Sequence, residues 1–209
     1  MTKQKLKKPL QLTSRFTNAV DYARHVHINC RKETLVPYMA HLLGVAALVM
    51  GENGEVGFPV TEDMVIAALL HDAVEDAGGM PRLHDIEANF GKDVAKIVEG
   101  LTDSFEEDSG KKPNWEERKN SYIKRLRKDS QETLLVSVAD KLYNARSILD
   151  DYRKEGAEVW KRFKRGREQQ LWYFEELIKV FEQRGSNRMV EELKRVVAEL
   201  RQLSAGETH

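Results

Sequence analysis

Apolar residues recur at helical spacing along almost the whole chain. Phe16, Val20, Ala23 and His27 fall on one face, with Thr13 or Ser14 placed to cap the helix that carries them. A second helix is expected to begin after Pro37 and run through MAHLLGVAALVM to Gly51; the turn-rich GENGEVGFP that follows reads as a loop. Thr61, then Glu62 and Asp63, opens a third helix, MVIAALLHDAVEDA, stopped by Gly78 and Gly79. Acidic residues in a first turn suit the positive end of the helix dipole.

Beyond Pro81 a short helix is expected to end near Gly91, and another, from Asp93 to Val98, near Gly100. The stretch TDSFEEDSGKKP is the most polar part of the interior and reads as a mobile loop. Asn114 followed by Glu117 forms a capping-box pattern for WEERKNSYIKRL. The run LLVSVADKLYNARSIL is β-branched early, so a strand is conceivable, but Leu135, Val138, Leu142, Ala145 and Leu149 keep helical spacing. Two further stripes follow: Leu171, Phe174, Leu177, Ile178 and Phe181, then Met189, Leu193, Val196, Val197 and Leu200. These are packing faces. With no strand pair and no internal repeat, the class is all-α. We divide the chain into a lead-in (1–12), one domain (13–203; core 16–150, C-terminal helices 156–203) and a tail (204–209).

Composition narrows the partners. Lys and Arg number 34, as do Asp and Glu, so no global field steers the chain toward nucleic acid or a membrane surface. The longest uninterrupted apolar stretch, Met64 to Leu70, is too short to span a bilayer, and the basic MTKQKLKKPLQ lacks the apolar core of a signal peptide. With the single Cys30, this points to the cytoplasm. The C-terminal helices could pack on the core or on a second subunit, which leaves a homo-oligomer open.

The chemistry is concentrated in ALLHDAVEDA. On a continuous helix His71, Asp72, Glu75 and Asp76 would lie within an arc of about 140°, beside an apolar face made by Ile66, Leu69, Leu70 and Val74. Burying such groups unpaired costs on the order of several kcal/mol each. A divalent cation resolves this by binding imidazole and carboxylate together; a solvated acidic helix end is the competing reading. Two more ionisable residues interrupt apolar helices: His41 in YMAHLLGVAAL and Asp140 in LLVSVADKL. Three helices that each carry an intrusive ligand-type residue favour a metal site. The remaining histidines, His25, His27, His84 and His209, read as structural or exposed, and Arg118 and Lys119 as a solvated face that could instead turn toward substrate.

The set His41, His71-Asp72 and Asp140 resembles the H…HD…D signature of the HD superfamily. RKETLVPYMAH, ALLHDAVEDA and VADKLYNAR resemble three motifs of the hydrolase domain of RelA/SpoT-type alarmone enzymes, most closely the stand-alone small alarmone hydrolases. The likeness covers residues 16 to 150, and the tail resembles that of bacterial single-domain HD proteins. It implies a helical HD bundle with additional C-terminal helices. It also implies metal ligation by His41, His71, Asp72 and Asp140, with Mn²⁺ the usual ion. Glu75 and Asp76 match the pair that orients or deprotonates the attacking water. Arg31 and Lys32 match a basic pair that contacts the nucleotide, and Asn144 a nucleotide-contacting asparagine flanked by Lys141 and Tyr143. Solvated charges remain the alternative for Arg31 and Lys32. The sequence departs from the pattern at Leu42 (usually Pro), at Ser137 (usually Lys) and in a slightly longer ETLVPY link.

The resemblance implies hydrolysis of the 3′-pyrophosphate of (p)ppGpp to GDP or GTP and pyrophosphate. No residues remain for a synthetase domain, so the chain is expected to degrade alarmone and not to make it. Ser137 and the altered link keep a second enzyme reading open: removal of the 2′-phosphate of NADPH, or another nucleotide phosphatase. A non-catalytic nucleotide-binding module is the third, disfavoured because Glu75 and Asp76 are both present.

Overall fold

The computed structural model describes residues 9–103 and 114–206. Most of the lead-in, nearly all of TDSFEEDSGKKP, and His209 with its two neighbours lie outside the described residues. The described residues form ten α-helices: α1 (Ser14–Val26), α2 (Tyr38–Gly51), α3 (Glu62–Leu70), α4 (Ala73–Asp76), α5 (Gly79–Phe90), α6 (Lys92–Leu101), α7 (Trp115–Leu126), α8 (Gln131–Glu155), α9 (Gly166–Arg184) and α10 (Arg188–Ser204). A 3-10 helix, Gly156–Arg162, separates α8 from α9. The all-α class is the one the chain adopts.

The caps follow local chemistry. Thr13 accepts from the Arg15 amide and Thr61 from the Met64 amide. Asn114 and Glu117 form the reciprocal capping box. The β-branched run 134–138 lies in mid-helix: Ser130 caps α8, and burial on most faces overrides strand propensity.

Three boundaries differ from the sequence expectation. α5 begins two residues before Pro81, whose missing N–H costs nothing in a first turn. α6 runs through Gly100 to Leu101. Gly100 serves close approach and not a cap: a Cβ there would stand 2.8 Å from Thr133 Cγ2 on α8. The third difference matters most. The helix expected from 64 to 77 is broken at His71 and Asp72 into α3 and α4. The His71 ring bonds the Ala68 carbonyl through Nδ1 at 2.8 Å, on the oxygen that the Asp72 amide would use in a continuous helix.

α3 is the centre of the molecule. Met64 through Leu70 are all buried, and α1, α2, α6 and α8 pack around it. A helix apolar on every side has to be enclosed this way, and Leu69 and Leu70, fully buried, each contribute about 1.5–3 kcal/mol. α2 and α8 flank α3 with Gly44 at their crossing, where a Cβ would come within 2.0 Å of the Tyr143 ring. The missing side chain lets that ring lie against α2 beside His41.

Candidate metal centre

His41 projects from α2, His71 and Asp72 from the break after α3, and Asp140 from α8. Their donor atoms converge. His41 Nε2 lies 3.2 Å from His71 Nε2, 3.3 Å from Asp72 Oδ2 and 3.4 Å from Asp140 Oδ1. His71 Nε2 lies 2.9 Å from the same Asp72 oxygen and 3.5 Å from the same Asp140 oxygen. Ligands bound at 2.0–2.2 Å around a tetrahedral or octahedral ion sit roughly 3.0–3.4 Å apart; the donors of His41, His71 and Asp140 all lie within 4.8 Å of one another and could hold one cation, with Asp72 beside both imidazoles.

The protonation pattern fits too. His71 donates its Nδ1 proton to Ala68 O, which points Nε2 at the cluster, where a cation would take the place of its second proton. His41 is held by rings: Tyr38 at 5.5 Å, His71 at 5.0 Å and Tyr143 at 5.1 Å between centroids. Burial drives His41 below the ordinary histidine range, so its imidazole is neutral. Burial also acts against charge on His71, but Asp72 and Asp140 outweigh it and hold its pKa well above the usual value. Burial opposes ionisation of Asp72, yet His71 and His41 keep it well below the usual carboxylate range; Asp140 is lowered likewise by Lys141 and His71. Two ionised carboxylates therefore favour positive charge at the imidazole nitrogens, which is the demand a divalent ion meets.

Neighbours orient this set. Tyr38 donates its hydroxyl to Asp72 Oδ2 at 2.7 Å. Lys141 and Asn144 each donate to Asp140 at 2.6 Å, to different oxygens. Asn144 Oδ1 in turn accepts from Arg31 at 2.9 Å, and the Arg31 guanidinium lies 5.7 Å from the Tyr143 ring centroid. Arg31 is fixed by its loop: its amide bonds Val36 O and the Asn29 carbonyl takes the Tyr38 amide. The longer ETLVPY link thus closes as a small hairpin, with Glu33 at φ +57°. Lys32 is not brought to the cluster. Its ammonium donates to the Arg162 carbonyl and lies 3.8 Å from Glu33.

Glu75 and Asp76 part company. Glu75 accepts the Asp103 amide, and Asp103 is clamped by Arg118 at 2.8 Å and Lys119 at 2.6 Å. Part of Glu75 reaches solvent, but crowding around its carboxyl, and next the like charge of Asp103, push it up to about 7. Asp103 is held at about 2, because Lys119 and Arg118 overcome its burial. Asp76 instead faces His27, 3.6 Å from Nδ1. His27 is buried, stacked on Tyr38 at 4.9 Å, and lowered by burial to about 4. It is neutral at pH 7, so the contact is not an ion pair.

Tyr38 and Asp103 carry no role in the sequence reading, where His27 reads as structural or exposed. Tyr38 lies within the PYMAH segment and Asp103 within the polar loop, and neither stands out by type. Arg118 and Lys119 are not a solvated face; they turn inward onto Asp103. Ser137 is fully buried and shares a 2.8 Å hydrogen bond with the Tyr122 hydroxyl. Leu42, where the related pattern has proline, is fully buried.

Along most of its length the chain is similar to known proteins. A family model described as HD domain matches residues 19–170. The mouse guanosine-3′,5′-bis(diphosphate) 3′-pyrophosphohydrolase MESH1 is 34% identical over 183 residues, covering 80% of this chain and 93% of that protein. A solved structure described as a metazoan ortholog of SpoT that hydrolyzes ppGpp superposes with a TM-score of 0.69 at 26% identity, over 91% of this chain and 97% of that one. A protein of known structure from Listeria monocytogenes EGD-e matches with a TM-score of 0.63 at 33% identity, over 78% and 99%. With a family model spanning most of its length and a relative matched nearly end to end, the chain belongs to the HD-domain family.

Proposed function

We propose that this chain hydrolyses the 3′-pyrophosphate of guanosine alarmones, with manganese as its ion. The observation that carries the reading is the convergence of His41, His71, Asp72 and Asp140 within 3.5 Å contacts, one turn from a glutamate poised near neutral pH. The names of the relatives supply the substrate class. Imidazole and carboxylate ligands also accept Zn²⁺, Fe²⁺ or Co²⁺, so manganese rests on the family likeness.

When bound, the ion supplies Lewis-acid stabilisation of charge at phosphorus and makes water more acidic. His41, His71, Asp72 and Asp140 hold it. Glu75 takes one proton from the attacking water, a role that suits a group titrating near 7. The water oxygen bonds the phosphorus attached to the 3′ oxygen, the P–O3′ bond breaks, and the leaving oxygen ends protonated. Asp76, faced by the neutral His27, orients the water. Tyr38 and Lys141 fix the carboxylates of Asp72 and Asp140, while Asn144, Arg31 and Tyr143 receive the nucleotide. Lys32 contributes only if its bond to Arg162 opens.

One observation favours a second substrate. Ser137 and Tyr122 fill a place where the related pattern has lysine, which alters the charge a phosphate would meet; a 2′-phosphate such as that of NADPH is then the alternative. No helix among the described residues is long and apolar enough to cross a membrane, and we place the enzyme in the cytoplasm. The test is phosphate and pyrophosphate release from ppGpp, pppGpp, NADPH and dNMPs with Mn²⁺, with and without chelator. Intact ppGpp beside dephosphorylated NADPH would replace the first reading with the second.

A further inference from the structure

Away from the metal centre, a cavity of about 400 Å³ opens where the end of α2, the first turns of α8 and the α9–α10 corner meet. That volume lies in the range of small-molecule sites. Phe58, Leu134 and Phe181 give it an apolar wall; Glu52, Glu55, Arg184 and Arg188 give it two carboxylates and two guanidiniums.

Glu52 is the unusual member. It is only 1% exposed, its Oε1 accepts from Arg188 Nε, and its Oε2 has no hydrogen-bond partner among the described residues. A buried carboxylate oxygen without a donor is costly, and an ammonium group is the strongest small donor for it. The opposite charge lines the same cavity. Arg188 bonds Glu52 and the Gly51 carbonyl, and Arg184 bonds the carbonyls of Arg127 and Asp129. A guanidinium has five N–H donors, so both keep some for an incoming anion. Arg188 opens the 17-residue α10, where the helix dipole adds to the attraction, and Arg184 ends α9 just before it.

We infer that this cavity is a second ligand site, shaped for a small zwitterion. The ammonium goes to Glu52 and Glu55, the carboxylate to Arg184 and Arg188, and the aliphatic body lies against Phe58, Leu134 and Phe181. A ligand with one charge alone leaves one of the two pairs unanswered. The position also links the site to the metal centre. Glu52 caps α2, which carries His41, and Val138 lines the cavity from α8, about 200° around that helix from Asp140. The inference is independent of which nucleotide the enzyme cleaves, because its readout is binding.

The experiment is calorimetric titration of the full chain with norleucine, pentylamine and hexanoate, which carry both charges, the ammonium alone and the carboxylate alone. Norleucine should bind, and each fragment should bind roughly tenfold or more weakly, the scale of one lost charged hydrogen bond. Glu52→Gln should weaken norleucine by a similar factor. Because Glu52→Gln removes a partner of Arg188, Gly57→Leu serves as a second variant. Gly57 lines the cavity, and a Cβ there meets nothing within 4 Å, so the substitution fills space without a clash at Cβ. It should abolish binding at an unchanged Tm. No heat with norleucine, equal binding of either fragment, or undiminished binding in Gly57→Leu would each overturn the site.

Discussion

Replacing Asp103 by asparagine should move the acid limb of the pH–rate profile downward. Glu75 is raised to about 7 first by the crowding of its carboxyl and second by the charge of Asp103, while Lys119 pulls the other way. Asp103→Asn removes the second cause and frees Lys119 and Arg118 from their carboxylate partner. Glu75 bonds the amide of Asp103 itself, and for a carboxyl pair of this kind a separation of about 6 Å serves for the magnitude. At an effective dielectric of about 20 a unit charge at that distance is worth about 3 kcal/mol, or about two pKa units. Part of Glu75 reaches solvent, and screening reduces this to about one unit.

The sign follows from the role. Glu75 must be ionised to accept a proton, so kcat/KM falls as pH drops through its pKa. In the variant that fall should begin about one unit lower, toward pH 6. The plateau should also drop, since a weaker base takes the proton less readily. The assay is initial-rate hydrolysis of ppGpp from pH 5 to 9 at saturating Mn²⁺, with kcat/KM fitted separately at each pH. An acid limb that stays in place, or moves up, would refute the assignment of Glu75 as the base that this limb reports.

Other outcomes follow from the same geometry. Glu75→Gln should raise Tm at pH 8 and leave it unchanged at pH 4, measured by calorimetry on chelated protein: a carboxyl whose folded pKa is raised to about 7 opposes folding once it must ionise, and this penalty vanishes below its unfolded value. Tyr38→Phe should weaken Mn²⁺ binding about 10–100-fold, read by metal titration, because Asp72 loses the 2.7 Å bond that orients it. Gly44→Ala should destabilise by about 1–3 kcal/mol in urea unfolding, since the added methyl meets the Tyr143 ring. Arg82→Met should lower kcat with little change in KM, because Arg82 Nε holds the Ala77 carbonyl at 2.9 Å and its guanidinium, 5.5 Å from the centroid of the Tyr22 ring, fixes the end of α4.

Much of this was legible before the structure, for reasons of periodicity and type. Apolar spacing located the long helices because packing follows 3.6-residue repeats, and Asn114 with Glu117 announced α7 because a capping box is a local code. His41 and Asp140 stood out because an ionisable group in an apolar helix needs a partner. What stayed hidden depends on side-chain direction or long-range contact. Lys32 follows Arg31 in sequence, yet the hairpin turns its ammonium onto the Arg162 carbonyl. Asp103 reaches Glu75 only because α6 ends where it does, 28 residues along the chain. Gly100 looked like a stop but answers to Thr133, which no local pattern encodes.

The break at His71 and Asp72 ties these observations together. One hydrogen bond, from His71 Nδ1 to Ala68 O, ends α3, fixes the ring and points Nε2 at the cluster. Glu75 and Asp76, consecutive on α4, point about 100° apart and reach different walls: Glu75 meets the amide and charge of Asp103, and Asp76 meets the neutral imidazole of His27, which caps α1. The proposed division into a base and an orienting group follows these different surroundings, and only Glu75 is pushed up to about 7. In His71→Ala the Asp72 amide is expected to regain Ala68 O, and the variant should lose metal binding and the raised titration of Glu75. His71→Gln should keep the break, because its side-chain amide can donate to Ala68 O. Carbon-13 NMR titration of the Glu75 carboxyl distinguishes them: a midpoint near 7 in the wild type and the glutamine variant, and one in the ordinary carboxyl range in the alanine variant. A wild-type midpoint in the ordinary carboxyl range would refute the reasoning.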